Sequence, residues 1–176
     1  MLMSRRLCAA AVAAAMAYVS PALVSPAMAA DDTLLTIGAG VWDVNFNYER
    51  QGEVRAEYRH GDGLFETDSF RGLKPLVGVM ATSRGSVFGY GGFAAPFTFG
   101  SGGDWEFTPS AGLGAYSRGN GLDLGGTFEF HLGLAVSYAV TDNGRLGLYL
   151  THISNAGING YNPGENSLLL TWSFAL

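Results

Sequence analysis

The 176-residue chain carries 10 Lys and Arg against 15 Asp and Glu, a net charge of −5, and charged residues are only 14% of it. With no basic stripe this balance excludes a nucleic-acid partner, and a hydrophobic content of 48% argues against a disordered chain. The single cysteine is Cys8, so the rest of the chain has neither disulfides nor thiol chemistry.

Arg5 and Arg6 precede an apolar run from Leu7 to Val19 and then the small-residue pattern Ala27-Met28-Ala29. This reads as a secretory signal peptide over residues 1–30, of the Sec type, cleaved after Ala29 or Ala30. Residues 31–176 then form one domain, and no stretch in it is apolar for long enough to make a membrane helix.

From there the hydrophobic period is two. Leu35, Ile37, Ala39 and Val41 alternate with Thr36, Gly38, Gly40 and Trp42. Next, Val54, Ala56 and Tyr58 alternate with Glu53, Arg55, Glu57 and Arg59, a row that suits either a solvated surface or a lumenal ion-pair network. From Phe128 to Val140 the even positions are large and apolar while the odd ones are small or polar. Leu146, Leu148 and Leu150 continue the pattern, and Leu168, Leu170, Trp172, Phe174 and Leu176 carry it to the end.

About eight strands are predicted, at roughly 33–46, 53–60, 75–83, 86–98, 104–117, 123–140, 144–154 and 166–176. An even number of such strands suggests a closed antiparallel barrel, either soluble and lipocalin-like with apolar residues inside, or membrane-spanning with apolar residues outside. The polar rows are rich in Gly, Ala, Ser and Thr and poor in charge, which fits a narrow lumen better than a soluble exterior. The fold expected is therefore all-β: an eight-stranded antiparallel transmembrane β-barrel of the outer membrane. Trp172, Phe174, Tyr138 and Tyr149 are expected at its membrane interfaces. The connection from Gly61 to Lys74 is long for a periplasmic turn.

The last hairpin carries the chemistry. In Thr151-His-Ile-Ser-Asn-Ala-Gly157, His152 and Ser154 continue the outward row of Leu146, Leu148 and Leu150. Up-and-down parity sets this rim outside the cell, at the head groups of the outer leaflet, where lipopolysaccharide sits. A serine activated by a histidine there suits acyl transfer. That chemistry also needs a group to orient the imidazole and donors for the oxyanion. Asn155 and the backbone amides of Asn155, Ala156 and Gly157 are the candidate donors. The plainer reading is a polar strand end bonded to its own loop.

The stretch His152-Ile-Ser-Asn-Ala-Gly-Ile158, followed by Asn162-Pro-Gly164, resembles the signature of the outer-membrane lipid A 3-O-deacylase family. Looser likeness extends over Gly38-Ala-Gly-Val-Trp-Asp43, Glu57-Tyr-Arg59, Lys74-Pro75, Gly121-Leu-Asp-Leu-Gly125 and Glu129-Phe130. The resemblance implies an eight-stranded barrel that hydrolyses the 3-hydroxyacyl ester at position 3 of lipid A, with no metal or organic cofactor. It implies Ser154 as nucleophile, His152 as base and Asn155 as a contributor to the oxyanion hole. Aligned without a gap, the family's glutamate falls on Asn166, while Glu165 stands one place earlier and so on the opposite face. Two arrangements stay open: a bulge after Pro163-Gly164 turns Glu165 outward, or Asn166 holds the imidazole. In the second case a slow enzyme or an inactive structural barrel is expected.

His131 with Glu129 is expected as a lumenal hydrogen-bond pair, and His60 borders a loop without visible ligands. Acidic residues show no metal-ligand spacing, and the Gly-x-Gly triplets are small lumenal positions rather than nucleotide loops. The expected partners are lipid A and the outer membrane. The oligomeric state is left open, with a homodimer among the options.

Overall fold

The structure is a computed structural model that describes residues 33–45 and 50–176, so the leader expected over residues 1–30, with Cys8 and the cleavage position, lies outside the described residues. Among the described residues nine strands form: β1 Leu34–Trp42, β2 Gln51–Arg59, β3 Lys74–Thr82, β4 Val87–Ala94, β5 Phe97–Phe99, β6 Trp105–Ser117, β7 Phe128–Thr141, β8 Gly144–Ser154 and β9 Glu165–Ala175. Neighbours pair antiparallel in the order β4-β3-β2-β1-β9-β8-β7-β6, and pairing of β4 with β6 closes the ring. Closure leaves no edge strand, which is what a sheet in hydrocarbon requires of its backbone N–H and C=O groups.

β4 and β5 are one strand position. Ala94 pairs with Ser110 and Phe97 with Phe107, so the register on β6 is unbroken between them. The interruption falls at Pro96, which has no N–H to donate. The barrel thus has eight strand positions. Following paired residues once around from Trp105, through Tyr138, Leu146, Trp172, Ile37, Ala56, Val79 and Gly89, returns to Ala115, ten residues farther along β6. That stagger with eight strands corresponds to a tilt of roughly 40°.

Side chains alternate as the period of two requires. Ile37, Val54, Val79, Leu134, Leu148 and Leu170 lie on the outer wall, part of an apolar belt far too extensive for a water-facing surface. Glu53, Arg55 and Arg59 point inward and are buried, so the charged row of β2 is a lumenal network and not a solvated face. Arg59 pairs with Glu106 at 2.9 Å, and Arg55 with Glu53 at 2.7 Å. Above them a hydrophobic cluster of Trp42, Phe88, Tyr116, Leu124 and Ile153 fills the end of the lumen beneath the β8–β9 loop. Trp42 and Tyr116 stack there with centroids 6.1 Å apart. A cavity of about 40 Å³ remains near the other end, bordered by Glu57, Glu106, Ser110 and Tyr149, too small for a solute channel.

Four sequence-based expectations change. The strand expected from 123 begins at Phe128, because Gly121–Thr127 folds over the lumen and buries Leu124. The strand expected to reach 46 stops at Trp42, where Asp43 takes φ +60°. Tyr149 belongs to no interfacial belt: it faces inward, 4% exposed, and its hydroxyl meets Ser110 Oγ at 3.0 Å and Glu57 Oε2 at 3.2 Å. Glu129 and His131 are both lumenal, but the imidazole bonds Arg55 through Nε2 at 3.0 Å and stacks on Tyr90 at 4.3 Å, and its Nδ1 makes no hydrogen bond to Glu129. The long Gly61–Lys74 connection is not a free loop. Leu64 bridges to Leu73, Phe70 bridges to Phe97 on β5, and Lys74 Nζ donates to the carbonyl of Gly61.

Candidate active site at the last hairpin

β8 and β9 stay in continuous register up to the loop, with His152 opposite Asn166 and Ile153 opposite Glu165. No bulge interrupts that ladder, so parity carries through: His152, Ser154 and Asn166 lie on the outer wall, while Thr151, Ile153, Glu165 and Ser167 point inward. The turn back is made by Gly164, at φ +64°, a left-handed value that glycine adopts without strain. A Cβ there would stand 3.1 Å from His152 Cε1, so the glycine also leaves room for the imidazole edge.

His152 Nδ1 lies 3.1 Å from Asn166 Oδ1. With the amide oxygen accepting, the ring proton sits on Nδ1 and the Nε2 lone pair is free to take a proton. His152 and Ser154 share one face two residues apart on the strand, but their side chains are not hydrogen-bonded in this conformation. Such contacts commonly tighten only once substrate is bound.

Glu165 does not reach the imidazole. It is buried in the lumen, where Oε1 accepts from the Asp43 N–H at 2.9 Å and lies 2.7 Å from Ser167 Oγ. Asn155 is buried too, and its side chain is committed to the loop: Nδ2 donates to Leu124 O at 2.7 Å and Tyr161 O at 2.9 Å. Its Oδ1 accepts from Gly157 N–H at 2.9 Å, and its own N–H donates to Asn162 Oδ1 at 3.0 Å. Of the three backbone amides considered for an oxyanion hole, those of Asn155 and Gly157 are therefore occupied. Ala156, exposed and at φ +53°, presents the remaining one.

Gly164 and Asn162 were missed as individual contributors, although Asn162-Pro-Gly164 stood out as a motif. The signal was present, since Gly after Pro marks a turn with positive φ. The two residues below the site on the outer wall, Leu150 and Leu168, are a registered pair and both exposed, as is Leu132 beside His152 on β7. The polar trio thus sits where the apolar belt ends. Among the described residues no group of His, Cys, Asp and Glu is arranged to hold a metal ion.

A family model described as lipid A 3-O-deacylase (PagL) matches residues 35–175. The chain belongs to that family. A lipid A deacylase PagL of Bordetella bronchiseptica strain RB50 is 35% identical over 73 residues, 39% of this chain and 41% of the relative. The match to that curated relative thus spans about two-fifths of its length. Among solved structures, the outer membrane enzyme PagL superposes with a TM-score of 0.62 at 16% identity, covering 81% of this chain and 99% of that one. A designed transmembrane β-barrel gives 0.55 at 12% identity, and Neisserial surface protein A gives 0.51 at 16%, each covering 82% of this chain and 96% of its own. At these identities the structures speak for the fold, which is the outer-membrane type of eight-stranded barrel. The PagL family model spans all nine strands but for the first residue of β1.

Proposed function

We propose that the protein is a lipid A 3-O-deacylase of the outer membrane, delivered there by a cleaved leader over residues 1–30. It hydrolyses the 3-hydroxyacyl ester at position 3 of lipid A, with Ser154 as nucleophile and His152 as base. The observation that carries this reading is the outward trio at the end of the apolar belt, with His152 Nδ1 held by Asn166 at 3.1 Å. A substrate lying in the same leaflet brings its ester to that height without leaving the membrane.

In the reaction His152 Nε2 takes the Ser154 hydroxyl proton as Oγ attacks the ester carbonyl. Asn166 keeps the proton on Nδ1, and the Ala156 N–H faces the oxyanion. Collapse of the tetrahedral intermediate breaks the bond to the sugar oxygen, which leaves with the proton from Nε2. Water from the exterior then attacks the acyl-serine with His152 again as base, releasing the 3-hydroxy fatty acid and restoring Ser154. No metal or organic cofactor enters. Expression in a host with 3-O-acylated lipid A should remove one hydroxyacyl chain from the lipid by mass spectrometry. Unchanged lipid A around a well-inserted barrel rejects the proposal.

A second reading, a structural barrel with little or no turnover, is favoured by one observation: the imidazole partner is the uncharged Asn166. An amide stabilises the imidazolium less than a carboxylate does, and serine needs strong base assistance. On that reading His152→Ala alters stability or lipid affinity, with no ester cleaved before or after the change.

A further inference from the structure

Directly behind His152 and Asn166, β8 and β9 present Thr151 and Ser167 to the lumen, also a registered pair and both buried. Each hydroxyl is held from across the hollow by β2, which borders neither strand. Thr151 Oγ1 accepts from Arg55 Nη2 at 3.2 Å. Ser167 Oγ donates to Glu53 Oε2 and stands 2.7 Å from Glu165 Oε1. Glu53 and Arg55 are bound to each other, Nε to Oε1 at 2.9 Å, with side chains almost wholly buried. Arg55 is fixed further by His131 Nε2 at 3.0 Å, whose lone pair must accept because a guanidinium only donates. The guanidinium also lies over the Tyr90 and Tyr149 rings, 5.5 and 5.6 Å from their centroids.

This matters because the His152–Asn166 pair is next to last in the ladder, one step before a ten-residue loop from Asn155 to Gly164. Strand ends open with little free energy, and an opening there separates the imidazole from its partner. We propose that the Glu53–Arg55 ion pair is a positioning device for the reaction: it grips Thr151 and Ser167 and thereby keeps His152 against Asn166. The inference rests on the Ser154–His152 reading given above. A second buried pair, Arg59 with Glu106, provides an internal contrast, for it bonds Thr108 on β6 and grips neither residue behind the site.

The test compares three hydroxyl deletions in the full-length protein, refolded into bilayers and assayed on a 3-hydroxyacyl ester: Thr151→Val, Ser167→Ala and the remote Thr108→Val. Folding is followed by the gel shift of the unheated barrel. A displacement of about 1 Å at a reacting group costs on the order of a hundredfold in rate. Thr151→Val and Ser167→Ala should therefore lower kcat roughly tenfold to a hundredfold with KM within about twofold, and Thr151→Ser, which keeps the hydroxyl, should recover most of it. Thr108→Val should leave kcat unchanged. Should Ser167→Ala fail to insert, the Thr151 series decides alone. Wild-type kcat in Thr151→Val, with Ser154→Ala inactive, overturns the brace and leaves the esterase reading standing. An equal loss in Thr108→Val also overturns it, since the effect is then general destabilisation. Full turnover in Ser154→Ala removes both.

Discussion

The two faces of the last hairpin are built to opposite rules. Inward, Thr151, Ile153, Glu165 and Ser167 are all buried, and the three polar members are bonded to Asp43 just after β1, to β2 or to each other. Outward, His152, Ser154 and Asn166 are only partly buried and share one side-chain hydrogen bond, at 3.1 Å. One residue of offset separates the two sets. The inner face is the more heavily bonded, and on the proposed reading Nε2 and the Ser154 hydroxyl are the groups left for a substrate. The same offset separates Glu165, which anchors the wall, from Asn166, which meets the imidazole.

Exchange across that offset gives the sharpest tests. The largest effect is expected from Ser154→Ala, which should lower deacylation roughly a thousandfold or more while the barrel still folds, measured as released 3-hydroxy fatty acid. Next comes Asn166→Asp, which keeps the shape of the side chain and adds a charge beside Nδ1. It should raise kcat about tenfold to a hundredfold, since a carboxylate stabilises the imidazolium that an amide leaves bare. A fall in rate would instead mean that the amide donates to the substrate.

Gly164→Ala tests the hinge between the faces. It forces a left-handed φ on alanine, a cost of about 1–2 kcal/mol, and sets a methyl 3.1 Å from His152 Cε1. The thermal midpoint should fall slightly and kcat severalfold. The smallest effect is expected from Glu165→Gln, because Oε1, the atom that accepts from Asp43 N–H, is retained in the amide. Turnover should change less than about threefold, whereas loss of a true triad carboxylate costs on the order of ten-thousandfold.

How much of this was legible beforehand depends on range. Alternation is a local property, so the row of Leu150, His152 and Ser154 and the row of Glu53, Arg55 and Arg59 could be read from the period of two, while composition, not alternation, set which row faced outward. Parity also placed Asn166 outward and Glu165 inward. What remained open was whether a bulge reversed them, and the unbroken ladder removes that alternative. The misses are long-range. His131 was paired in sequence with Glu129, two residues away, but bonds Arg55 from another strand. Tyr149 looked interfacial by its place near a strand end, yet its ring lies in the lumen beside Gly133, where a Cβ would meet the hydroxyl at 2.5 Å. The Asn155 amide, expected as an oxyanion donor, here donates to Leu124 O and Tyr161 O, in loops whose meeting no local pattern encodes.

The most direct measurement is covalent: the bilayer-inserted protein is treated with a lipid-soluble fluorophosphonate, and the modified residue is located by tandem mass spectrometry. Labelling at Ser154 that is lost in His152→Ala is the expected result. Unlabelled Ser154 in a preparation that still deacylates, or labelling that survives His152→Ala unchanged, would contradict a nucleophile activated on the outward face.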